Sequence, residues 1–243
     1  MRILNINNLN TGDLKDILLF CQKRILKKEG AFLIPMNPIK AIKARKNSEF
    51  QKIIDKADWV FPDAWGLKWA AHFLYEKKIS LLPGHKVMIS LLAQAEENGQ
   101  SVYILGTTNS VLHEAAIELT RLFPELKISG FHDGFFSKSD EDRVFRHIAS
   151  FKPQYVFVAM GEYKQERVIQ KLRVIYPEAI FMGVGGSIDL VAKKQPSPPE
   201  WIRMHHLEWL FRLYRQPFRL PRFRALPYFT LLTIIEKMKL TVS

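Results

Sequence analysis

The chain has 243 residues, of which 47% are hydrophobic, and these values predict a globular protein with one large domain and a sizeable core. The net charge of +12 favours anionic partners, namely nucleic acid, phospholipid or a phosphorylated substrate. No apolar stretch approaches the roughly 20 residues that span a bilayer, and the amino terminus lacks the apolar core of a signal peptide. We therefore expect a chain that stays in the cytoplasm.

Short apolar runs alternate with helical patterns along the chain. In chain order, the runs are residues 31–34, 57–61, 101–106, 156–160 and 179–183. An amphipathic helical pattern near the amino terminus contains Cys21, which has no second cysteine as a partner and is expected to be a small core residue. Another such pattern follows the third run and reaches about Phe123. Strands that alternate with helices predict βαβ units and an α/β fold with a mostly parallel sheet.

Glycines at the ends of three runs mark a candidate binding edge. Gly106, Gly161 and Gly185 stand at or just after the ends of the third, fourth and fifth runs. Ligands of open α/β sheets bind outside the carboxyl ends of the strands, where the next helix offers N–H groups to a phosphate. At Gly161 the polar Lys164, Gln165 and Glu166 open a helix almost at once. The alternative is an ordinary strand-to-helix junction with a solvated first turn.

The carboxy-terminal part combines basic, aromatic and aliphatic side chains from Trp201 onward. This composition is typical of a segment at a membrane interface, with aromatic groups such as Phe229 resting in the interface. Pro217, Pro221 and Pro227 are expected to break the segment into pieces. We predict a core of residues 1–194 and an appendage of residues 195–243.

Nucleic acid is the rival explanation of the positive charge. Arginines that alternate with aromatic residues can track phosphates and stack bases. However, no helix-turn-helix, RNA-recognition signature or zinc-knuckle spacing is present, and such binding would leave the glycine loops unexplained. We therefore expect no nucleic-acid partner.

Six segments taken together resemble one known family. Residues 62–66, 103–106, 123–136, 160–166, 183–189 and 207–213 occur in the order and spacing of the WecG/TagA/CpsF glycosyltransferases, and the resemblance runs from about Asn5 to Arg224. It implies a Rossmann-like core with a basic helical appendage, and no required metal or cofactor. It also implies inverting transfer of N-acetylmannosamine, its uronate or a hexose from a UDP-sugar to a polyprenyl-diphosphate-linked sugar. Such enzymes work in bacterial surface-polysaccharide assembly, on the inner face of the cytoplasmic membrane; a homo-oligomer is left open.

The resemblance assigns catalytic roles to Asp63, Gln165 and Arg212. Asp63 matches the base that takes the proton of the acceptor hydroxyl, although an aspartate there also suits a helix N-cap. Gln165 matches a residue that hydrogen-bonds donor or acceptor oxygens, whereas Glu166 is expected to cap or charge the first helical turn. Arg212 matches an appendage arginine that meets the charge of the departing diphosphate, for which its planar fork is suited.

Substrate-binding roles follow from the same resemblance. Asn37 matches an asparagine at the pocket rim, and Asp189 matches a carboxylate that accepts from the uracil ring. For Asp189, a charge at a helix N-terminus is an equal alternative. The remaining residues expected to bind substrate are the three strand-end glycines and two appendage arginines: Gly106, Gly161, Gly185, Arg219 and Arg222.

A metal site is a weaker interpretation of the acidic run at Asp140, Glu141 and Asp142. The run resembles the Asp-x-Asp motif of other glycosyltransferases, but it follows Ser139 and opens a helical pattern. Acidic residues that favour a helix N-terminus explain it better. His132 and Asp133 are expected in a turn between a strand and a helix; the alternative is that one of them lines the pocket.

Five positions depart from the residues that are usual in the family: Pro35, Ala64, Leu81, Lys86 and Ser197. Several of them flank the expected meeting place of donor sugar and acceptor. We interpret them as a changed pair of sugars, with Lys86 available for an acidic donor, because the expected base and the appendage arginines remain. The alternative is an inactive member that binds a UDP-sugar and serves as a scaffold.

Overall fold

A parallel six-stranded sheet forms the centre of the fold. The computed structural model describes residues 1–193, 199–204, 210–211, 214 and 224–242. The strands are β1 (Ala31–Met36), β2 (Trp59–Pro62), β3 (Ser101–Gly106), β4 (Lys127–His132), β5 (Tyr155–Ala159) and β6 (Ile180–Gly183). Their order is β2-β1-β6-β5-β3-β4, and every neighbouring pair is parallel. The predicted α/β fold is thus confirmed.

Helices cover both faces of this sheet. The described helices are α1 (Leu14–Leu26), α2 (Pro38–Arg45), α3 (Ser48–Asp55), α4 (Trp65–Tyr75), α5 (Gly84–Glu97), α6 (Asn109–Leu122), α7 (Glu141–Ser150), α8 (Lys164–Ile175), α9 (Ser187–Val191), α10 (Glu200–Met204) and α11 (Ala225–Val242). Buried residues of α2, α3, α4, α7 and α8 pack on one face, and those of α1, α5, α6 and α9 pack on the other. Cys21 lies fully buried in α1, as predicted.

Side chains of each strand alternate between these two faces. In β1, Leu33 belongs to the core cluster on one face, while the next residue, Ile34, belongs to the cluster on the other. Phe157 and Val158 alternate in the same way in β5. Because both faces are covered, the strands are almost continuously apolar rather than alternating between apolar and polar residues. This is why short apolar runs predicted five of the six strands; the sixth, β4, has partly exposed side chains and was not among the predicted runs.

The direction of the chain across the sheet reverses between β3 and β5. From β3 the chain passes through α6 to β4 on one side, and from β5 it passes through α8 to β6 on the other. These two helices lie on opposite faces, so a crevice opens at the carboxyl ends of β3 and β5. The fold therefore provides a binding edge where the glycine loops were predicted.

Two predicted strand boundaries were wrong by two residues, and others, in β2, β5 and β6, by one. β1 continues through Pro35 to Met36, instead of ending at Ile34. Pairing between β1 and β6 ends at Leu33, so the missing N–H of Pro35 costs no ladder hydrogen bond to β6. β2 begins at Trp59 rather than at Ala57.

The carboxy-terminal helix α11 packs on the core against α2 and α4. Phe229 is only 2% exposed and belongs to the main core cluster, so its predicted place in a membrane interface is wrong. Pro227 does not break the helix, because it occupies the first turn, where a backbone N–H has no helical partner. Pro217 and Pro221 lie outside the described residues. Among the helices described here, none is long and apolar enough to cross a bilayer.

Candidate active site

The predicted site residues follow neighbouring strands along one edge of the sheet. Asn37 and Asp63 come directly after β1 and β2, and Gly161 and Gly185 lie in the loops after β5 and β6. These four strands are consecutive in the sheet, so their carboxyl ends share one edge. Gly106 ends β3, the next strand along that edge. The sheet therefore brings together the predicted residues that precede α9.

Asp63 connects the end of β2 to the beginning of α5. Its backbone N–H donates to the Met36 carbonyl (2.8 Å), and its Oδ1 accepts from the Gly84 N–H (2.5 Å). A Cβ placed on Gly84 would lie 3.3 Å from Asp63 Oδ1 and 3.2 Å from Pro35 Cβ. A glycine thus allows the helix start to approach the carboxylate closely. One carboxylate oxygen, Oδ1, is therefore held by the protein.

The alternative role of Asp63 as a helix N-cap is not what the structure shows. Helix α4 begins at Trp65, its N-cap residue is Ala64, and no side chain caps it. The carboxylate makes its hydrogen bond to a different helix, 21 residues further along the chain. Trp65 itself is 48% exposed beside this loop.

A buried polar network lies behind the middle of the edge. The Lys40 ammonium donates to Glu166 Oε1 (2.8 Å) and to the Pro35 carbonyl (2.9 Å). Gln165 Nε2 donates to the same Glu166 oxygen (3.0 Å), and Gln165 Oε1 accepts from the Gly185 N–H (3.0 Å). Lys40, Gln165 and Glu166 are each at most 3% exposed. Three strand-end segments, those of β1, β5 and β6, are thereby joined.

The charge of Lys40 is balanced inside this network. Burial, the largest influence, lowers the pKa of Lys40, but the carboxylates of Glu166, Glu162 and Asp63 raise it more, and the result lies above its ordinary value. Lys40 therefore stays protonated, as its three carboxylate neighbours require. Because Glu166 neutralises Lys40 directly, Lys40 fixes the positions of its neighbours at the edge and offers no free positive charge there.

The sequence predicted only part of the role of Glu166. Its Oε2 accepts from the Tyr163 N–H (2.6 Å), so the expected cap of the first turn of α8 is confirmed. Its ion pair with Lys40, 126 residues away, was missed. A lysine inside the otherwise apolar run of Ile39, Ala41 and Ile42 is the signal from which a buried partner could have been predicted.

The predicted glycines divide into two kinds. Gly161 (φ +80°) and Gly185 (φ +51°) adopt left-handed backbone conformations and border open space, because a Cβ on Gly161 meets no atom within 4 Å and a Cβ on Gly185 lies 3.9 Å from the nearest one. Gly106 also has a positive φ (+123°), but it does not border open space, since its Cβ would lie 2.4 Å from the Ala159 carbonyl oxygen. Close packing against β5 thus explains Gly106, whereas Gly161 and Gly185 leave room beside the edge.

Asn37 and Asp189 both lie at helix starts. Asn37 caps α2, with its Oδ1 accepting from the Lys40 N–H (2.9 Å). Asp189 lies in the first turn of α9, where a carboxylate also favours the helix dipole. Their predicted roles in substrate binding stay predictions.

Asp140 serves the start of α7. The side-chain hydrogen bond from Ser137 and the charge of Arg143 hold the pKa of the Asp140 carboxyl below its usual range. Helix α7 then begins at Glu141, which confirms the predicted helix start. Within the described part of the chain, no three His, Cys, Asp or Glu side chains gather as a metal-binding group.

Asp133 lies between β4 and α7, as predicted, but His132 is the last residue of β4 and not part of the turn. Asp133 accepts hydrogen bonds from the Phe135 N–H (2.8 Å) and from Asn109 Nδ2 (3.1 Å). These contacts shape the loop between β4 and α7 and join it to the start of α6.

Two of the five departures from the family pattern line one cavity. The cavity measures about 440 Å³, and Leu81 and Lys86 lie in its wall together with Pro83, the residue before Gly84. It therefore adjoins the helix start that binds Asp63. Ser197 and the appendage arginines Arg212, Arg219 and Arg222 lie outside the described residues, so their roles stay predictions.

The chain is similar in sequence to known glycosyltransferases. Residues 1–243 match the family described as Glycosyl transferase WecG/TagA/CpsF family. A Bacillus spizizenii protein is 31% identical over 83% of this chain and 77% of its own length, and one from Bacillus subtilis is 28% identical over 97% and 91%. A Staphylococcus aureus protein is 31% identical over 82% and 77%. All three are named N-acetylglucosaminyldiphosphoundecaprenol N-acetyl-beta-D-mannosaminyltransferase. With its whole length matched, this chain belongs to the WecG/TagA/CpsF family of glycosyltransferases.

Proposed function

We propose that this glycosyltransferase moves N-acetylmannosamine, or a close relative of it, from a UDP-sugar to a polyprenyl-diphosphate-linked N-acetylglucosamine. The names of the similar proteins support this acceptor and this sugar. The observation that carries the proposal is the carboxylate of Asp63, which the Gly84 N–H fixes at the edge where Gly161 and Gly185 leave open space. A fixed base beside a vacant glycine-lined rim is what transfer to a hydroxyl group requires.

The proposed reaction is a single displacement with inversion. The acceptor hydroxyl oxygen attacks the anomeric carbon, the bond from that carbon to the UDP oxygen breaks, and the hydroxyl proton passes to Asp63. Asp63 Oδ1 is engaged by Gly84, so Oδ2 is the oxygen that we expect to take the proton. Because attack and departure occur on opposite sides of one carbon, the configuration inverts.

The departing UDP carries negative charge that cations must meet. Lys40 does not serve here, because its ammonium is buried against Glu166. We assign this task to Arg212, Arg219 and Arg222 and to N–H groups at the strand-end loops, without a metal.

A lipid-linked acceptor places the reaction at a membrane surface. We propose a peripheral position on the inner face of the cytoplasmic membrane, supported by the apolar side chains that α11 exposes. Leu231 is 53% and Met238 is 64% exposed, and they lie about two turns apart on one side of the helix. Replacing both with glutamate is expected to weaken binding to anionic liposomes by about tenfold or more. Undiminished liposome binding would show that α11 does not contact the membrane. If the protein is a dimer in solution and the variant dissociates it, the exposed side of α11 binds a second copy of the chain instead.

A donor screen tests the reaction itself. The purified chain is incubated with a polyprenyl-diphosphate-linked N-acetylglucosamine in three separate reactions. Each reaction contains one donor: UDP-N-acetylmannosamine, its uronate or UDP-glucose. Mass spectrometry of the lipid then shows which sugar, if any, has been added. Transfer from one donor supports the proposal and identifies the sugar. Binding of UDP without transfer from any UDP-sugar would favour the scaffold alternative.

A further inference from the structure

The buried network of Lys40, Gln165 and Glu166 fixes two loops that border open space. One loop follows β5 and contains Tyr163, whose N–H donates to Glu166 Oε2 (2.6 Å). The other follows β6 and contains Gly185, whose N–H donates to Gln165 Oε1 (3.0 Å). Both loops lie at the carboxyl edge, where nucleotide phosphates bind in sheets of this kind. Their shape therefore determines what that edge can hold.

The conformations of these loops depend on the network. Tyr163 has φ +74° and ψ −46°, a strained backbone for a residue with a side chain. Such strain persists only where the surrounding contacts hold it, and the Glu166 carboxylate supplies that contact. Gly185 also has a positive φ of +51°, and its N–H is held by Gln165.

Both carboxylate oxygens of Glu166, and both the amide nitrogen and the amide oxygen of Gln165, hydrogen-bond to other protein groups. Glu166 binds Tyr163 with one oxygen and Lys40 with the other, while the Gln165 amide joins Glu166 to Gly185. Gln165 is only 1% exposed, and a Cβ on Gly183 would lie 2.5 Å from its Nε2, so the amide is closely enclosed. Little of the Gln165 side chain is left to contact a substrate.

We propose that Lys40, Glu166 and Gln165 are positioning residues that hold the Tyr163 and Gly185 loops in the shape that binds the nucleotide diphosphate of the donor. This inference rests on the proposed function. It gives Gln165 an indirect role, through Gly185, in place of direct contact with the reacting oxygens. It also predicts that changes in this network alter the binding of the donor and not that of the acceptor, since the acceptor hydroxyl meets the edge at Asp63.

Two variants separate positioning from stability. Lys40→Met leaves Glu166 buried without its cation and is expected to lower Tm by roughly 6–20 °C. The double variant Lys40→Met with Glu166→Met removes both charges together with the acceptor of the Tyr163 N–H, and it should regain most of this loss. If the network positions the loops, the double variant still shows KM for the UDP-sugar raised by about tenfold to a hundredfold, with KM for the acceptor unchanged. If the pair is merely structural, KM recovers together with Tm.

Gln165→Leu provides a second measurement with the ion pair intact. It removes the partner of the Gly185 N–H, so hydrogen exchange of residues 184–187 should become faster and the Kd for UDP should rise by about tenfold. Unchanged exchange and unchanged UDP affinity would overturn the inference. Lys171→Met is the matched control. Lys171 lies on α8, as Gln165 does, but its ion pair with Glu141 of α7 is at the surface. This variant should leave UDP affinity unchanged.

The outcomes distinguish this inference from the proposed function. UDP affinity is measured without an acceptor, and transfer is measured separately. A wild-type chain that binds no UDP and transfers no sugar would overturn both. An active wild-type chain whose double variant keeps normal KM for the UDP-sugar would overturn the inference and leave the function standing.

Discussion

Replacing Asp63 by asparagine is the sharpest test of the mechanism. The amide oxygen of asparagine can still accept from the Gly84 N–H, now 2.5 Å from the carboxylate, so the loop should keep its place. What the variant loses is a group able to take a proton. Removal of a positioned base costs on the order of a hundredfold or more in kcat, equivalent to about 2.7 kcal/mol or more of transition-state stabilisation. KM for the UDP-sugar should change little, because the loops of Gly161 and Gly185 are untouched.

The assay follows sugar transfer by mass spectrometry at saturating donor and acceptor. Asp58→Asn is a matched control from the other end of the same strand segment, where Asp58 accepts from the Phe32 N–H and pairs with Arg173. That variant should lose stability while keeping kcat. An Asp63→Asn enzyme with near-normal turnover would refute the assignment of Asp63 as the base. A loss of UDP binding in the same variant would show that the Asp63 carboxylate acts by fixing the loop before Gly84, and not by accepting a proton.

Three further predictions concern the metal, the carboxy-terminal helix and the cysteine. Transfer should persist after dialysis against EDTA; if magnesium or manganese were needed to restore it, Asp140 and Asp142 would have to be considered as ligands. Phe229→Ala should lower the free energy of unfolding by about 3–5 kcal/mol, because Phe229 is 2% exposed, and a change below about 1 kcal/mol in denaturant unfolding would contradict its place in the core. Burial raises the pKa of Cys21 to about 12, so at pH 8 only about one thiol in ten thousand is ionised and the folded chain should resist alkylation. The same reagent should label the chain unfolded in guanidinium, and rapid labelling of the native protein would show that the thiol is accessible.

The sequence predicted five of the six strands because these are buried on both faces and appear as apolar runs, whereas the partly exposed β4 does not. It predicted Asp63 and Gly161 at strand ends for the same reason. The end of β1 was wrong because the predicted run ended at Ile34, before Pro35, whereas the strand continues to Met36 beyond the end of its pairing with β6 at Leu33. The strand could therefore include a proline without losing a hydrogen bond to β6.

Partners distant in the chain could not be predicted from local patterns. The contact of Asp63 with Gly84 spans 21 residues, and that of Lys40 with Glu166 spans 126. Each depends on which helix start the sheet brings near a strand end, and this is a property of the whole topology. Gly106 shows the same limit, because its close packing against Ala159 could not be predicted from its sequence context, and its role in substrate binding stays a prediction.

Helix α2 links the carboxy-terminal helix to the active edge. Its first turn carries the Asn37 cap and Lys40 of the buried network, and α11 packs against the same helix. At its other end, the Lys46 ammonium lies 5.3 Å from the centre of the Tyr228 ring of α11. A membrane contact through the exposed side of α11 would therefore involve a helix that packs against α2, and α2 carries the Lys40 that binds Glu166. Removing everything after residue 194 would delete Phe229 from the core as well as the appendage arginines, so lost transfer in such a truncation would not separate catalysis from folding. Substitutions on the exposed side of α11 make that separation, because they alter the membrane contact and leave Phe229 in place.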